Sequence, residues 1–420
     1  MPFFSIGEKI FMEIAGIVCE YNPFHLGHQR QLRLCREVLG EDTSIVCVMS
    51  GNYVQRGMPA MWDKFARAEA ALVCGADVVL ELPVTAVLRS AEGFADAGVD
   101  ILSRFGCTHL CFGAECGNAD MLMRIARQLD TDEARRKLRE GLDRGLSYAA
   151  ARQLAARDET GLLEKPNNIL GLEYCRAILR QKSDMIPLAV LRNGNYHAQD
   201  ADICEPSATA VRSLLPDGPW QNSLPTASAH VLSKATRYDF VWGERAVLAR
   251  LRSLTDEEWE KTAHGSEGLW RKAMKACREC SDFEHIVEAV KSKRYPRTRI
   301  QRLLLCAYLG ITDEMLHAPL PYVRVLSVGE QGKALLRRAK IASGRKLEIG
   351  SFVMDADEHT AYLGETEISL TTREKQRFIV YNIPIQGDSI MRKLFLICLQ
   401  NVNFKKSRYL FSCSEILIGI

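Results

Sequence analysis

Five short apolar runs, each bounded by turn residues and separated from the next by a helical stretch, constrain the fold of this 420-residue chain more than any other feature. They are Glu13–Cys19 (EIAGIVC), Ser44–Met49 (SIVCVM), Asp77–Leu82 (DVVLEL), Thr108–Phe112 (THLCF) and Ile186–Leu191 (IPLAVL). Short runs rich in Val, Ile and Leu mark parallel strands buried on both faces. Between them, His28–Leu39, Asp63–Cys74, Val87–Phe105, Ala119–Leu142 and Asn168–Gln181 read as helices. This alternation predicts an α/β fold with a doubly wound parallel sheet over residues 12–225. Ligands of such sheets bind beyond the carboxyl ends of the strands, where strand order reverses.

The pattern changes further on. Val231–Leu254, Asp256–Ala263, Gly268–Cys280, Asp282–Lys291 and Thr298–Leu309 read as helices, which predicts a helical domain over 226–318. Residues 319–420 form a smaller mixed region, with Tyr322–Val328 strand-like and Gly332–Ala342 helix-like. Met12 directly precedes the first strand, so residues 1–11 read as an N-terminal extension or an upstream start. With 47% hydrophobic and 25% charged residues, a disordered chain or a fibre is excluded. Lys and Arg number 55 against 52 Asp and Glu, a net charge of +3, so any nucleic-acid contact must come from a local patch. The 14 Cys are scattered singly through apolar runs, where a free thiol acts as a small hydrophobe. No secretory leader and no bilayer-length apolar run is recognisable, so a cytoplasmic protein without a membrane partner is expected.

The sharpest motif is Tyr21-Asn22-Pro23-Phe24-His25-Leu26-Gly27-His28, directly after the first strand. The helix beginning there presents unpaired N–H groups and a partial positive charge, a ready phosphate site. Two histidines three apart can both donate to phosphate oxygens and stabilise charge on a leaving pyrophosphate. A polar turn or a metal pair is the alternative, but further ligands are not suitably spaced nearby. Ser50-Gly51-Asn52 closes the second strand, followed by the cations Arg56, Lys64 and Arg67. Lys64 and Arg67 share a helix face, either as a solvated face or with Lys64 binding phosphate as a point charge. Arg56 could meet a carboxylate, a phosphate or RNA. Gly113 ends the fourth strand and would let a nucleotide lie against the backbone. Pro166-Asn167-Asn168 opens a helix that either Asn could cap. Arg192 ends the fifth strand, with His197 in the following loop as a second-rank candidate. Ser207-Ala208-Thr209-Ala210-Val211-Arg212 reads as a second phosphate motif of hydroxyls, free N–H groups and a guanidinium.

Lys291 to Arg302 carries six cations and no acid, with Tyr295 among them, a pattern for RNA phosphates and one stacked base or else a solvated basic helix start. The spacing Cys277-x-x-Cys280 lacks a second pair and argues against zinc. Cys107, Cys111 and Cys116, beside His109, read as thiols of a buried strand.

NPFHxGH after a first strand resembles the HxGH nucleotidyltransferase superfamily. GIVCEYNPFHLGH, MSGNYVQRGMPAMWDKFARAEAAL, CGADVVLELP, CFGAE, KPNNILGLEYCRAI, the run from Arg192 to His197 and SATAVR occur here in one order. Together they resemble the tRNA(Met) cytidine acetate ligase family over residues 12 to about 340, whereas residues from about 345 to 420 depart from it. The resemblance implies a Rossmann-like sheet and an ATP site at Val18, Cys19, Glu20, Tyr21, Asn22, Pro23, Phe24, His25, Gly27, His28, Gln31, Gly113, Asn167, Arg192, Ser207, Thr209 and Arg212. It implies catalysis by His25, His28 and Lys64, with Mg²⁺ accompanying ATP. Acetate would be activated as acetyl-adenylate and passed to N4 of the wobble cytidine of elongator tRNA(Met). Arg56, Lys293, Arg294, Arg297, Arg299 and Arg302 would meet that tRNA. The alternatives are a small-molecule adenylyltransferase of the same superfamily and a non-catalytic RNA-binding protein.

Overall fold

The computed structural model describes residues 13–382 except 147, 157–160, 193–206, 216–217, 321, 344–346, 350–351, 356–359, 364–365 and 369–379. Each apolar run is a strand: β1 (Ile14–Cys19), β2 (Ser44–Ser50), then, after the short hairpin β3 (Tyr53–Val54) and β4 (Met58–Pro59), β5 (Val78–Leu82), β6 (His109–Ala114) and β7 (Ile186–Leu191). They pair in parallel in the order β5-β2-β1-β6-β7. The chain therefore winds outward from β1 to β5, then returns to lay β6 beside β1. The reversal falls between β1 and β6, and the loop that ends at His25 leaves the sheet there, with His28 on the first turn of the helix that follows.

Side chains alternate between two apolar layers, as a strand's period of two requires. Val46, Val48 and Leu80 face the layer shared with Phe94, Leu122 and Leu172. Ile45, Cys47 and Met49 face the opposite layer, with Leu32, Ala70 and Leu232. The first layer is covered by α4 (Ala91–Phe105), α5 (Ala119–Leu129) and α8 (Pro166–Gln181), the second by α1 (Leu26–Leu39), α2 (Lys64–Val73) and α10 (Thr226–Lys234). Gly98 brings α4 close to β1, since a Cβ there would sit 2.5 Å from Val18 Cγ2.

Three expected helices are broken, each at a side chain that caps the next. The expected Val87–Phe105 loses its first turn, since α3 (Val84–Val87) ends where it should begin and α4 starts after Ser90, which accepts from Gly93 N–H. Ala119–Leu142 divides into α5 and α6 (Asp132–Asp143), where Thr131 accepts from Ala134 N–H. Val231–Leu254 divides into α10 and α11 (Phe240–Ser253), where Asp239 accepts from Val241 N–H. Cap hydrogen bonds of this kind are worth about 1 kcal/mol and outweigh a continuing apolar period. A further helix, α7 (Tyr148–Ala155), precedes α8, and α9 (Ala208–Ser213) follows β7.

Beyond α10, α11, α12 (Asp256–Lys261), α13 (Leu269–Glu279), α14 (Phe283–Val290) and α15 (Arg297–Leu309) close around a separate core that includes Leu251, Trp259, Ile286, Ile300 and Leu304. After α16 (Asp313–His317), β8 (Tyr322–Val328) returns to the main sheet and pairs antiparallel with β5. The strand-like run expected within a separate region thus extends the first sheet, and α17 (Glu330–Ser343) follows it as expected. A four-stranded antiparallel sheet of β9 (Leu347–Ile349), β10 (Phe352–Asp355), β11 (Thr360–Leu363) and β12 (Thr366–Ile368) has no clear period in the sequence. Then β13 (Val380–Asn382) pairs with β8 at the sheet's edge.

Candidate active site

The loop from Glu20 to His25 turns through a positive φ at Tyr21 and a cis Asn22–Pro23 peptide before α1 begins. Tyr21 and Phe24 are buried in the core, so only their backbone can meet a ligand. Val18 packs against Gly98, and Cys19 Sγ lies 3.7 Å from the Val48 carbonyl. Glu20 Oε1 accepts from Gln55 N–H at 2.7 Å, and Asn22 Oδ1 from Met61 N–H at 2.9 Å. Gln31 donates to the Cys111 carbonyl at 3.4 Å, so its amide turns toward the sheet.

His25 caps α1. Its Nδ1 accepts from Gly27 N–H at 3.1 Å, and His28 Nδ1 accepts from His25 N–H at 3.2 Å. The two rings stack with centroids 3.7 Å apart. An accepting Nδ1 carries no proton, so each neutral ring holds its proton on Nε2. Burial, followed by the charges of Arg192 and Arg212, pushes the His25 pKa down to about 3. His28 lies well below the usual range for the same first reason, then because of His25 and Arg192. Two neutral Nε2–H donors therefore stand at the N-terminus of α1 at physiological pH.

The second phosphate motif comes to the first. Ser207 caps α9 through Ala210 N–H at 3.0 Å. Arg212 donates to the Asn22 carbonyl at 2.8 Å and to Thr209 Oγ1 at 3.0 Å. From the other side, Arg192 donates to Asn167 Oδ1 at 3.3 Å. Its stem crosses Gly113, where a Cβ would stand 2.8 Å from Arg192 Cδ. Neither Asn167 nor Asn168 caps α8 with its own side chain. Glu115, one residue past β6, does so by accepting from both backbone N–H groups, at 3.2 and 2.8 Å. Sequence reasoning missed Glu115, although it closes the CFGAE block. His197 lies outside the described residues.

Lys64 and Arg67 correct both expectations for them, since neither is solvated and Lys64 is not an open phosphate donor. Lys64 is 1% exposed and pairs with Glu81 at 2.7 Å, while Arg324 of β8 reaches the other oxygen of Glu81 at 3.2 Å. Burial alone would raise the Glu81 pKa, but the charges of Lys64 and Arg324 outweigh it and hold it low. Arg67, fully buried, donates to the carbonyls of Glu20, Ser50, Gly51 and Trp62. It ties the carboxyl ends of β1 and β2 together. The physical reason is that α2 lies against the sheet, so Arg67 reaches inward to strand-end carbonyls and Lys64 to the Glu81 carboxylate.

The basic segment is also more committed than its composition suggests. Arg297 pairs with Glu284 and Glu288 of α14, and Arg294 with Glu267 at 3.0 Å. Arg302 is 9% exposed, with its guanidinium 3.4 Å from the Gln55 carbonyl. Burial lowers its pKa to about 10. Arg299 meets only neutral groups among its described hydrogen bonds, the His264 carbonyl and Ser266 Oγ, and lies over the Tyr295 ring. Lys293 and Arg56 are exposed.

A family model described as HIGH Nucleotidyl Transferase matches residues 12–386. The chain is 32% identical to the tRNA(Met) cytidine acetate ligase of Acetivibrio thermocellus, over 97% of this chain and 100% of that protein. That likeness reaches well into the stretch after residue 345 that had seemed to depart. The chain is also 36% identical to the tRNA(Met) cytidine acetate ligase of Clostridium novyi, over 78% of this chain and 88% of that one. Among solved structures it is similar to Thermotoga maritima TmcAL bound with alpha-thio ATP, at 33% identity and a TM-score of 0.71. That match covers 79% of this chain and 84% of the other.

Proposed function

Since the chain belongs to the tRNA(Met) cytidine acetate ligase family of HIGH nucleotidyl transferases, we propose that it activates acetate with ATP and acetylates N4 of the wobble cytidine of elongator tRNA(Met). The observation that carries this reading is the Arg212 bond to the Asn22 carbonyl, which joins the two phosphate motifs beside the stacked histidines. ATP lies across the reversal between β1 and β6, with its phosphates toward the start of α1. An acetate oxygen attacks the α-phosphorus in line, forming acetyl-adenylate as pyrophosphate leaves. His25 and His28 donate from Nε2 to the phosphate oxygens, and Arg192 and Arg212 balance the charge that builds there. No covalent enzyme intermediate is needed; position and preorganised charge lower the barrier. The cytidine amine then attacks the acetyl carbonyl and AMP leaves.

Mg²⁺ enters with ATP as part of the substrate, held largely by phosphate oxygens and water. The described residues offer ATP no carboxylate or histidine cage for that ion. Lys64 acts from beneath the site, holding Glu81 and the Ser50–Asn52 turn in place. The tRNA reaches the site from the α15 side, where the β3–β4 hairpin meets the helical core. A tRNA acceptor supports a cytoplasmic enzyme. No described helix is long and apolar enough to cross a membrane.

ATP–pyrophosphate exchange tests the first half-reaction and nucleoside mass analysis of a tRNA(Met) transcript tests the second. Exchange should require acetate, and cytidine should gain one acetyl group. Exchange that requires a phosphorylated acceptor instead would identify a small-molecule adenylyltransferase. A folded protein with no exchange would be a binding protein.

A further inference from the structure

We propose that Glu115 is a positioning residue of the ATP site, acting through Asn167 on Arg192; this rests on the reading of that site given above. Glu115 Oε1 accepts from both the backbone N–H and the side-chain Nδ2 of Asn167, the latter at 2.7 Å. An ionised carboxylate offers only acceptors, so the NH₂ end of the Asn167 amide must face it. The carbonyl end is then turned outward, and it accepts from Arg192 Nη1 at 3.3 Å. Flipping the amide would set oxygen against oxygen on one side and NH₂ against guanidinium on the other. Glu115 thus dictates which atom Arg192 meets.

Glu115 is itself held on both sides. Cys116 N–H donates to Asn168 Oδ1 at 3.0 Å, and Asn168 Nδ2 donates to the Leu162 carbonyl at 3.0 Å. The buried Asn168 therefore fixes the turn after β6 against the start of α8. At the far end of the relay, the guanidinium lies near enough to both histidines for its charge to lower their pKa values. A group placed there meets the phosphates of a nucleotide. Glu115 has a second consequence at the same time. Its carboxylate occupies the N-terminal N–H groups of α8, so this helix start repels phosphate while that of α1 remains suited to it.

The test measures ATP affinity by calorimetry for wild type, Glu115→Gln, Arg192→Ala and the double variant, with thermal melts to confirm folding. Glu115→Gln leaves one acceptor oxygen for the three N–H donors of Asn167 and Asn168 and sets an NH₂ against the rest, so the hold on Asn167 weakens and ATP affinity should fall about tenfold. In the Arg192→Ala background the same change should cost less than about twofold, because the relay has nothing left to position. Losses that multiply independently, or an unchanged affinity in Glu115→Gln, would overturn the proposal. Should Glu115→Gln fail to fold, Asn167→Ala, alone and with Arg192→Ala, serves instead, and losses that multiply independently would again overturn the relay. Asn167→Ala leaves the backbone cap of α8 intact, and an affinity equal to wild type would overturn the relay equally. Wild-type protein that neither binds ATP nor exchanges pyrophosphate would overturn the site itself, a distinguishable failure.

Discussion

His25 carries two duties that a single substitution can separate. Its Nδ1 caps α1, which leaves Nε2–H as the ring's donor for the proposed phosphate contact. Asn is an equally good N-cap but lacks a donor at the Nε2 position. His25→Asn should therefore keep the fold and lower acetate-dependent pyrophosphate exchange by about 10²- to 10³-fold, the usual loss for one preorganised donor. The same residue makes stability pH-dependent. Folded, its pKa is about 3 against an ordinary 6.5. Between those values the unfolded chain binds more protons, so stability falls as pH drops through that window. Denaturant unfolding at about pH 7 and about pH 5 should show a smaller loss of stability in His25→Asn than in wild type, the difference being on the order of 1–2 kcal/mol. An equal acid response in the two proteins would mean the ring is solvated and charged. The two histidines and the Ser207–Arg212 set were legible because strand, turn and helix frame them in the sequence. Glu115 was not legible, since an acid after a strand has no distinguishing pattern until the fold brings α8 to it.

Elements were legible in kind and less so in extent. Parallel strands stand out because both faces are apolar, but the breaks at Ser90, Thr131 and Asp239 depend on single cap bonds inside continuous periodic runs. The β3–β4 hairpin was invisible for another reason: it is only two residues a side, and its register is fixed by what it touches. Gly57 turns with φ +81°, and a Cβ there would lie 2.5 Å from the Arg302 backbone nitrogen. No flexible side chain can yield at that contact, because the obstacle is the backbone of α15. Gly57→Ala should therefore destabilise the protein by about 2 kcal/mol or more, combining left-handed strain with the clash. Denaturant unfolding measures this. A loss below about 0.5 kcal/mol would show that the hairpin does not bear on α15 in solution.

At the scale of the whole molecule, charge is placed by the tertiary fold rather than by local sequence, which is why the basic residues were the least legible. Lys64, Glu81 and Arg324 come from α2, β5 and β8, and their buried cluster holds the late strand onto the early sheet. Glu81→Gln would take from two buried cations the carboxylate they share and should cost about 3–5 kcal/mol in thermal or denaturant unfolding. The same placement sorts the cations that can serve tRNA. With a net charge of only +3, affinity must come from a few local positions. Arg297 is already answered by Glu284 and Glu288, and Arg302 is buried under the hairpin. Lys293 and Arg56 are exposed, and Arg299 meets neutral partners among its described hydrogen bonds. Gly57 rests on Gln301 and Arg302, so Arg56 stands beside α15, the same element that carries Arg299. Each of Arg56→Ala, Lys293→Ala and Arg299→Ala should weaken tRNA binding and make the slope of log affinity against log salt shallower by about 0.7–0.9, one phosphate each. Arg297→Ala should leave that slope unchanged, because its charge is spent within the protein. Filter binding across about 50 to 200 mM salt reads both quantities. A shallower slope for Arg297→Ala would mean that α14 releases the arginine when RNA arrives, and the acids of α14 would then belong to the binding surface.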